Sequence, residues 1–170
     1  CPIGYSSGYG QASCAECTLG KYAQGYNVTS QEEATDCALC PAGKHGKENV
    51  NTAADRINEN AACENCTSGT YSSATGVAAE TGCNECPPGK HSAGLGKTLA
   101  SDCADCAANT FSDISGSTEC KDCANGTSSD VGATYCDVCS PGKYMNHSKC
   151  ESCPIGYSSG YGQASCAECT

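Results

Sequence analysis

Nineteen cysteines dominate the chemistry that this 170-residue sequence could perform. All but Cys1 belong to Cys-x-x-Cys pairs, namely Cys14/Cys17, Cys37/Cys40, Cys63/Cys66, Cys83/Cys86, Cys103/Cys106, Cys120/Cys123, Cys136/Cys139, Cys150/Cys153 and Cys166/Cys169. Thiols at this spacing can form disulfides, ligate zinc or act in redox catalysis. So many near-equivalent copies leave no unique active site, which argues against redox catalysis.

The spacing between successive pairs is compatible both with disulfides and with zinc. Between 10 and 22 residues separate one pair from the next, as in zinc ribbons. The number of pairs, the few Lys and Arg residues, and the Gly and aromatic residues at fixed offsets favour disulfides. With 19 cysteines in 170 residues, the composition is typical of a disulfide scaffold in an oxidising compartment.

The rest of the composition cannot supply a conventional hydrophobic core. The sequence contains no Trp, one Phe and one Met, so cross-links must offset the entropy of the chain.

A net charge of −10 without a basic patch argues against nucleic acid and anionic membranes as partners. No apolar run is long enough for a membrane span. Because the sequence opens on Cys1 without a signal peptide, we expect a segment of a longer secreted protein.

A short pattern, Cys-x-x-Gly-[Lys/Thr]-[aromatic/His], follows the pairs. Its third residue after the cysteine is Gly in seven of eight copies and Asn109 in the other, which predicts a turn with positive φ. The second residue after this Gly or Asn is predicted to cover the disulfide as the small core of its own module. These residues are Tyr22, His45, Tyr71, His91, Phe111 and Tyr144, with Ser128 and Ser158 departing from the pattern.

A longer repeat sets the organisation of the whole chain. Residues 1–18 are identical to residues 153–170, which gives a period of 152 residues. We predict a small disulfide-rich fold of short β-hairpins and irregular turns with little helix, arranged as an elongated, solenoid-like rod of about eight modules per period. Helical turns are predicted near 30–33 and 52–61. A partial module, 1–17, precedes modules 17–37, 40–63, 66–83, 86–103, 106–120, 123–136, 139–150 and 153–166.

Two disulfide patterns fit these modules. In the favoured one, the second cysteine of each pair bonds the first cysteine of the next pair. The bonds are then Cys1–Cys14, Cys17–Cys37, Cys40–Cys63, Cys66–Cys83, Cys86–Cys103, Cys106–Cys120, Cys123–Cys136, Cys139–Cys150 and Cys153–Cys166. Cys169, the copy of Cys17, is left to bond the next repeat. A crossed pattern between neighbouring pairs is the alternative.

The pattern Cys-x-x-Cys-Pro-x-Gly-[Lys/Thr]-Tyr resembles the cysteine-rich repeats of tumour necrosis factor receptors and the ephrin-receptor-like repeats. It resembles equally the arrays of protist surface proteins, such as ciliate immobilization antigens and flagellar-hair (mastigoneme) proteins. The resemblance covers the whole chain and implies the nearest-neighbour disulfides. With the 152-residue period, it leads us to expect a structural repeat of an extracellular glycoprotein fibril. The alternatives are a membrane-anchored surface-coat antigen and a ligand-binding receptor ectodomain.

No catalytic, metal or cofactor site is predicted. His45 and His91 are expected to pack rather than to catalyse, and His147 has no charged relay. Acidic residues beside the pairs predict a solvated edge rather than a calcium site; examples are Glu16, Glu64, Glu85, Asp102 and Asp122.

N-glycosylation is predicted at Asn27, Asn125 and Asn146, while crowding argues against Asn65; O-linked glycans on Ser and Thr are permitted. The expected partners are adjacent copies of the chain.

Overall fold

The computed structural model of the chain describes residues 5–7, 13–24, 36–50, 52, 55–146 and 149–169. Cys1, Asn27, His147 and the predicted helical turn at 30–33 lie outside these residues. The chain divides into two compact units. The first comprises Cys1–Asn84 with Gly94–Asp102, and the second comprises Glu85–Ala93 with Cys103–Thr170.

Short strands provide nearly all of the regular structure. They are β1 Tyr5–Ser6, β2 Ala15–Glu16, β3 Lys21–Gln24, β4 Asp36–Leu39, β5 Lys44–Gly46, β6 Cys63–Asn65, β7 Thr70–Tyr71, β8 Asn84–Glu85, β9 Lys90–His91, β10 Ala104–Asp105, β11 Thr110–Phe111, β12 Lys121–Asp122, β13 Thr127–Ser128, β14 Asp137–Val138, β15 Lys143–Asn146, β16 Lys149–Ser152, β17 Tyr157–Ser158 and β18 Ala167–Glu168. One α-helix, α1 Glu59–Ala62, and the 3₁₀ turns Glu80–Gly82 and Ala100–Asp102 complete the described elements.

The strands form two-stranded hairpins, each made of consecutive strands from β1–β2 through β17–β18. The first strand of a hairpin follows the turn Gly or Asn of a module. The second contains the two residues between the cysteines of the next pair, and in β4, β6 and β16 it also includes the first cysteine. In one example Thr110 is opposite Asp122 and Phe111 is opposite Lys121, in antiparallel register. The predicted fold class of short hairpins with little helix is therefore confirmed.

The helical segment predicted over 52–61 is shorter than expected. The described helix is the single turn α1, and Asn58 caps it by accepting the N–H of Ala61 at 2.9 Å. Such a short helix satisfies few backbone groups internally, and this side-chain cap supplies an acceptor for one of its free N–H groups. None of the helices in the described ranges has the length and apolar character needed to cross a membrane.

Cystine sulfur occupies the place of a hydrophobic core. Apart from Ala23 and Ala62, every buried apolar residue in the described ranges is a cysteine, and six of these cysteines are at most 1 % exposed. The large aliphatic side chains lie outside: Leu95, Ile114 and Val131 are all more than half exposed. The cross-links therefore replace apolar burial as the stabilising element, as the composition predicts.

Candidate functional site

Eight consecutive disulfides form the framework on which any function depends. They are Cys17–Cys37, Cys40–Cys63, Cys66–Cys83, Cys86–Cys103, Cys106–Cys120, Cys123–Cys136, Cys139–Cys150 and Cys153–Cys166. They match the nearest-neighbour pattern and not the crossed one. Cys14 is also disulfide-bonded, and its predicted partner Cys1 lies outside the described residues. Cys169 is free and exposed.

A tight turn begins each of the eight modules from 17–37 to 153–166 and positions its hairpin. The turn glycine, third after the cysteine, has φ between 77° and 88° in seven modules, and Asn109 has φ 68° in the other. The N–H after the turn glycine donates to the carbonyl three residues earlier, as from Thr127 to Ala124 at 3.0 Å. These are the features of a type II turn. The predicted positive-φ turn is confirmed, and Asn109 adopts it without being glycine.

A second glycine in most modules joins the module to its predecessor within the same unit. Its N–H donates, at 2.8–2.9 Å, to the carbonyl of the cysteine that opens the preceding module. The bonds run from Gly76 to Cys40 and from Gly96 to Cys66 in the first unit, and from Gly116 to Cys86, Gly132 to Cys106 and Gly162 to Cys139 in the second. All five glycines have positive φ, between 65° and 76°. Successive modules therefore stack through the same backbone bond.

The turn glycines also contact the module two positions further along. A Cβ placed on Gly20 would lie 2.5 Å from the carbonyl oxygen of Gly76, closer than real Cβ contacts allow. Equivalent clashes would occur between Gly43 and Gly96, Gly89 and Gly132, and Gly126 and Gly162. At these four positions the stack therefore excludes any side chain, whereas the turn alone also accepts Asn109.

The residue at the aromatic position was predicted to cover the disulfide of its own module. Where the structure gives its contacts, this prediction is wrong. Tyr22 packs against Cys40 and Cys63, which form the disulfide of the next module rather than its own. His91 behaves likewise, because its Nδ1 lies 3.2 Å from Sγ of Cys120. Ser128, at the same position, has its Oγ 3.6 Å from Sγ of Cys150. The side chain at this position therefore joins two modules instead of closing one.

The residue after the aromatic position covers the module's own disulfide, because neighbouring residues of a strand face opposite sides. Ala23 packs with Cys17 and Cys37, and the Oγ of Ser129 lies 3.4 Å from Sγ of Cys123. This position is small and buried in six modules, at Ala23, Gly46, Ser72, Ser92, Ser112 and Ser129. The predictions from sequence did not include it, although the recurring small residue was a visible signal.

His45 is buried against a carboxylate in a contact that the sequence did not predict. The residue is 5 % exposed, and its Nε2 lies 2.5 Å from Oε2 of Glu80. Its Nδ1 lies 2.9 Å from the carbonyl oxygen of Gly46. The other carboxylate oxygen of Glu80 accepts the N–H and hydroxyl of Thr67. The cluster joins two modules of the first unit through one carboxylate.

Arg56, the sole arginine of the sequence, makes a second cross-module contact. It is 7 % exposed, and its Nη1 donates to Oε1 of Glu16 at 2.9 Å and to the carbonyl of Cys17 at 2.6 Å. Nη2 donates to the carbonyl of Val50 at 2.9 Å. A guanidinium can satisfy several acceptors in one plane, which suits it to holding separate segments together.

Acidic side chains line the exposed side of the cysteine pairs, and some pair with lysines. Lys90, which follows a turn glycine, lies 2.5 Å from Asp105, and Lys121 lies 2.8 Å from Asp113. The Lys121 ammonium holds the pKa of Asp113 below its ordinary value. Backbone N–H groups of Leu99 and Thr98 do the same for the pKa of Asp102. These contacts agree with a solvated edge partly neutralised by lysine.

One cluster has the composition of a metal site but not its chemistry. Ligand atoms of His91, Cys106 and Cys120 lie within 4.8 Å of one another. The two cysteines are bonded to each other, so neither offers the thiolate that zinc requires. The cluster is a histidine packed on a disulfide.

The predicted glycosylation sites differ in their surroundings. Asn125 is exposed within a turn, whereas the side chain of Asn146 is half-buried and donates to Glu151 at 2.7 Å. Asn65 is exposed, yet its Oδ1 would lie 3.1 Å from a Cβ on Gly96, so module 86–103 crowds it.

Comparison with models of known protein families and with curated proteins finds no match to this chain.

Proposed function

We propose that this chain is a structural repeat of an extracellular glycoprotein fibril. The observation that carries the proposal is the recurring backbone bond from the second glycine of one module to the opening cysteine of the module before it. Such a bond needs no particular side chain, so it can be repeated in every module of a series. Contacts that each module makes with its neighbours in sequence are typical of solenoid proteins.

The chemistry of the described residues suits an element that must keep its form outside the cell. Disulfides persist in oxidising compartments, and nearly every buried apolar residue of the described ranges is part of one. Each bond closes a loop within its own module and stiffens a chain that has few apolar side chains. The stack would therefore act as a rod, with adjacent copies of the chain as its partners.

Glycans would lie on the outside of this rod. Asn125 has the best surroundings for modification, since it is exposed in a turn that presents it to solvent. Asn65 has the poorest surroundings of the described sites, because Gly96 of module 86–103 lies against it. Peptide mapping before and after enzymatic removal of N-glycans would show which asparagines carry sugar.

Electron microscopy of the native material tests the fibril directly. We expect filaments with a regular axial repeat that corresponds to the 152-residue period. Isolated particles without axial order, or a layer in which each copy ends in a membrane anchor, would contradict the proposal and favour the surface-antigen alternative.

A further inference from the structure

His45 and His91 occupy the same position in their modules, the second residue after the turn glycine. Both side chains reach the module that follows. Nε2 of His45 meets the carboxylate of Glu80 there, whereas Nδ1 of His91 lies 3.2 Å from Sγ of Cys120. None of the ion pairs formed within the described ranges involves His91. The two histidines therefore have different chemical surroundings at equivalent positions.

The difference follows from the lengths of the modules that the histidines reach. Module 66–83 has six residues between its second glycine and its closing cysteine, and Glu80 is one of them. Module 106–120 has only three residues there, so the segment that carries Glu80 has no counterpart. His91 instead faces the disulfide of that module. Because a disulfide sulfur carries no proton, the contact is a hydrogen bond only when Nδ1 of His91 is the donor.

The sulfur that this histidine contacts is also the accessible end of its bond. Cys106 is fully buried, whereas Cys120 is half-buried. Both cysteines are buried, by contrast, in three other bonds, Cys40–Cys63, Cys66–Cys83 and Cys86–Cys103. Thiol–disulfide exchange requires access to one sulfur, and a donor beside a thiolate stabilises the reduced pair. The Cys106–Cys120 bond combines these two properties.

We propose that the Cys106–Cys120 disulfide is a redox site, which a small external dithiol opens and a small external disulfide closes again. His91 is the positioning residue of this site, because the N–H of its Nδ1 stabilises the Cys120 thiolate that forms on opening. The half-buried sulfur of Cys120 admits a small molecule. The inference goes beyond the proposed function and does not depend on whether the chain forms a fibril.

Opening consists of two thiol–disulfide exchanges, in which the dithiol is the reductant. First, one thiolate of the dithiol attacks Sγ of Cys120, and Cys106 leaves as a thiolate that takes up the proton released by the dithiol. Second, the other thiolate of the dithiol attacks the dithiol sulfur bound to Cys120, and its proton passes to solvent. Cys120 then leaves as a thiolate that accepts the N–H of His91. The protein gains two electrons, and the dithiol loses them as it becomes a disulfide.

The Cys139–Cys150 disulfide offers a comparison within the same unit. Cys139 is buried and Cys150 is half-buried, the same pattern as in the proposed redox site. Ser128 stands at the position equivalent to that of His91, and its Oγ lies 3.6 Å from Sγ of Cys150. The two bonds therefore share their burial and their place in the module, and they differ in the group that faces the accessible sulfur.

Equilibration of the folded, oxidised chain with graded mixtures of reduced and oxidised dithiothreitol tests the site. Alkylation and peptide mapping then measure the opening of each bond. At mildly alkaline pH, we expect Cys106–Cys120 to be half-open at a several-fold lower ratio of reduced to oxidised dithiothreitol than Cys139–Cys150. Once open, Cys120 should react with iodoacetamide faster than Cys150, because more of it is thiolate.

Exchanging the two facing groups separates hydrogen bonding from packing. His91→Ser should raise the ratio needed to open Cys106–Cys120 several-fold, and Ser128→His should lower the ratio needed for Cys139–Cys150. His91→Phe keeps a ring at this position, as Phe111 does in the next module, and should behave like His91→Ser. If Cys106–Cys120 opened as easily in His91→Phe as in the unaltered chain, or if Ser128→His left Cys139–Cys150 unchanged, the inference would be overturned.

Discussion

At the scale of single residues, the turn glycine has two separate duties. Its positive φ is needed to begin the hairpin, and Asn109 shows that a side chain can satisfy this duty. Its missing Cβ is needed where a later module passes close by, as at Gly20 beside Gly76. The second duty applies only inside the stack, since nothing lies within 4 Å of the Cβ position of Gly142.

Replacing these glycines by alanine should separate the two duties. Gly142→Ala should lower the free energy of unfolding by roughly 1–2 kcal/mol, the cost of a left-handed alanine. Gly20→Ala should lower it by roughly a further 1–3 kcal/mol, because its Cβ meets two backbone carbonyls. Urea unfolding under non-reducing conditions measures both, and equal reductions would contradict the proposed stacking contact.

The contact between His45 and Glu80 allows a second test at this scale. Glu80→Ala leaves the buried Nε2 of His45 without its acceptor and removes two hydrogen bonds from Thr67. Leaving a buried donor unsatisfied costs about 1–3 kcal/mol. Denaturant unfolding should show this destabilisation for Glu80→Ala and almost none for the control Glu119→Ala. A similar effect in both would mean that the pair does not join the two modules.

At the scale of elements, each module consists of a turn, a hairpin and a loop closed by a disulfide. The hairpins have only two to four residues per strand, too few for stability alone. In the chain-entropy model a disulfide closing a loop of this length contributes about 3 kcal/mol. The hairpin therefore fixes geometry while the disulfide supplies most of the stability.

The 3₁₀ turn Ala100–Asp102 should respond to acid. The carboxylate of Asp102 accepts the N–H groups of Leu99 at 2.9 Å and Thr98 at 3.1 Å, which lowers its pKa from 3.8. The stabilisation is present above pH 3.8 and disappears as the pH falls through the lowered pKa. The amide resonances of Leu99 and Thr98 should titrate with a midpoint below 3.8. In Asp102→Asn this titration should disappear; its persistence would assign the shift to another group.

Local features of the modules could be predicted from the sequence, and features of the stack could not. The turn with positive φ depends on residues close together within one module, so a short repeated pattern identifies it. The same pattern favoured the nearest-neighbour disulfides but left the crossed pairing open. The packing of Tyr22 on the next disulfide depends on how modules stack. Arg56 is 40 residues from Glu16, in a loop that repeats no pattern, so no spacing rule connects them.

At the scale of the whole molecule, the fold depends on oxidation. Full reduction should abolish the structure, because the buried apolar residues of the described ranges are almost all cystines. Circular dichroism and protease sensitivity should show the unfolding after treatment with a reductant. A metal chelator should have no effect, since the cysteines that would ligate zinc are bonded to one another. Unfolding by the chelator alone would restore the zinc alternative.

The sequential order of the disulfides also determines how the molecule responds to damage. Each bond closes a loop on itself, so a protease that cuts the backbone within one loop leaves both ends joined through sulfur. Only a cut between the two cysteines of a pair can sever the chain, and these two residues lie in a hydrogen-bonded strand for nearly every pair. The molecule should therefore accumulate nicks on exposure to proteases and keep its length.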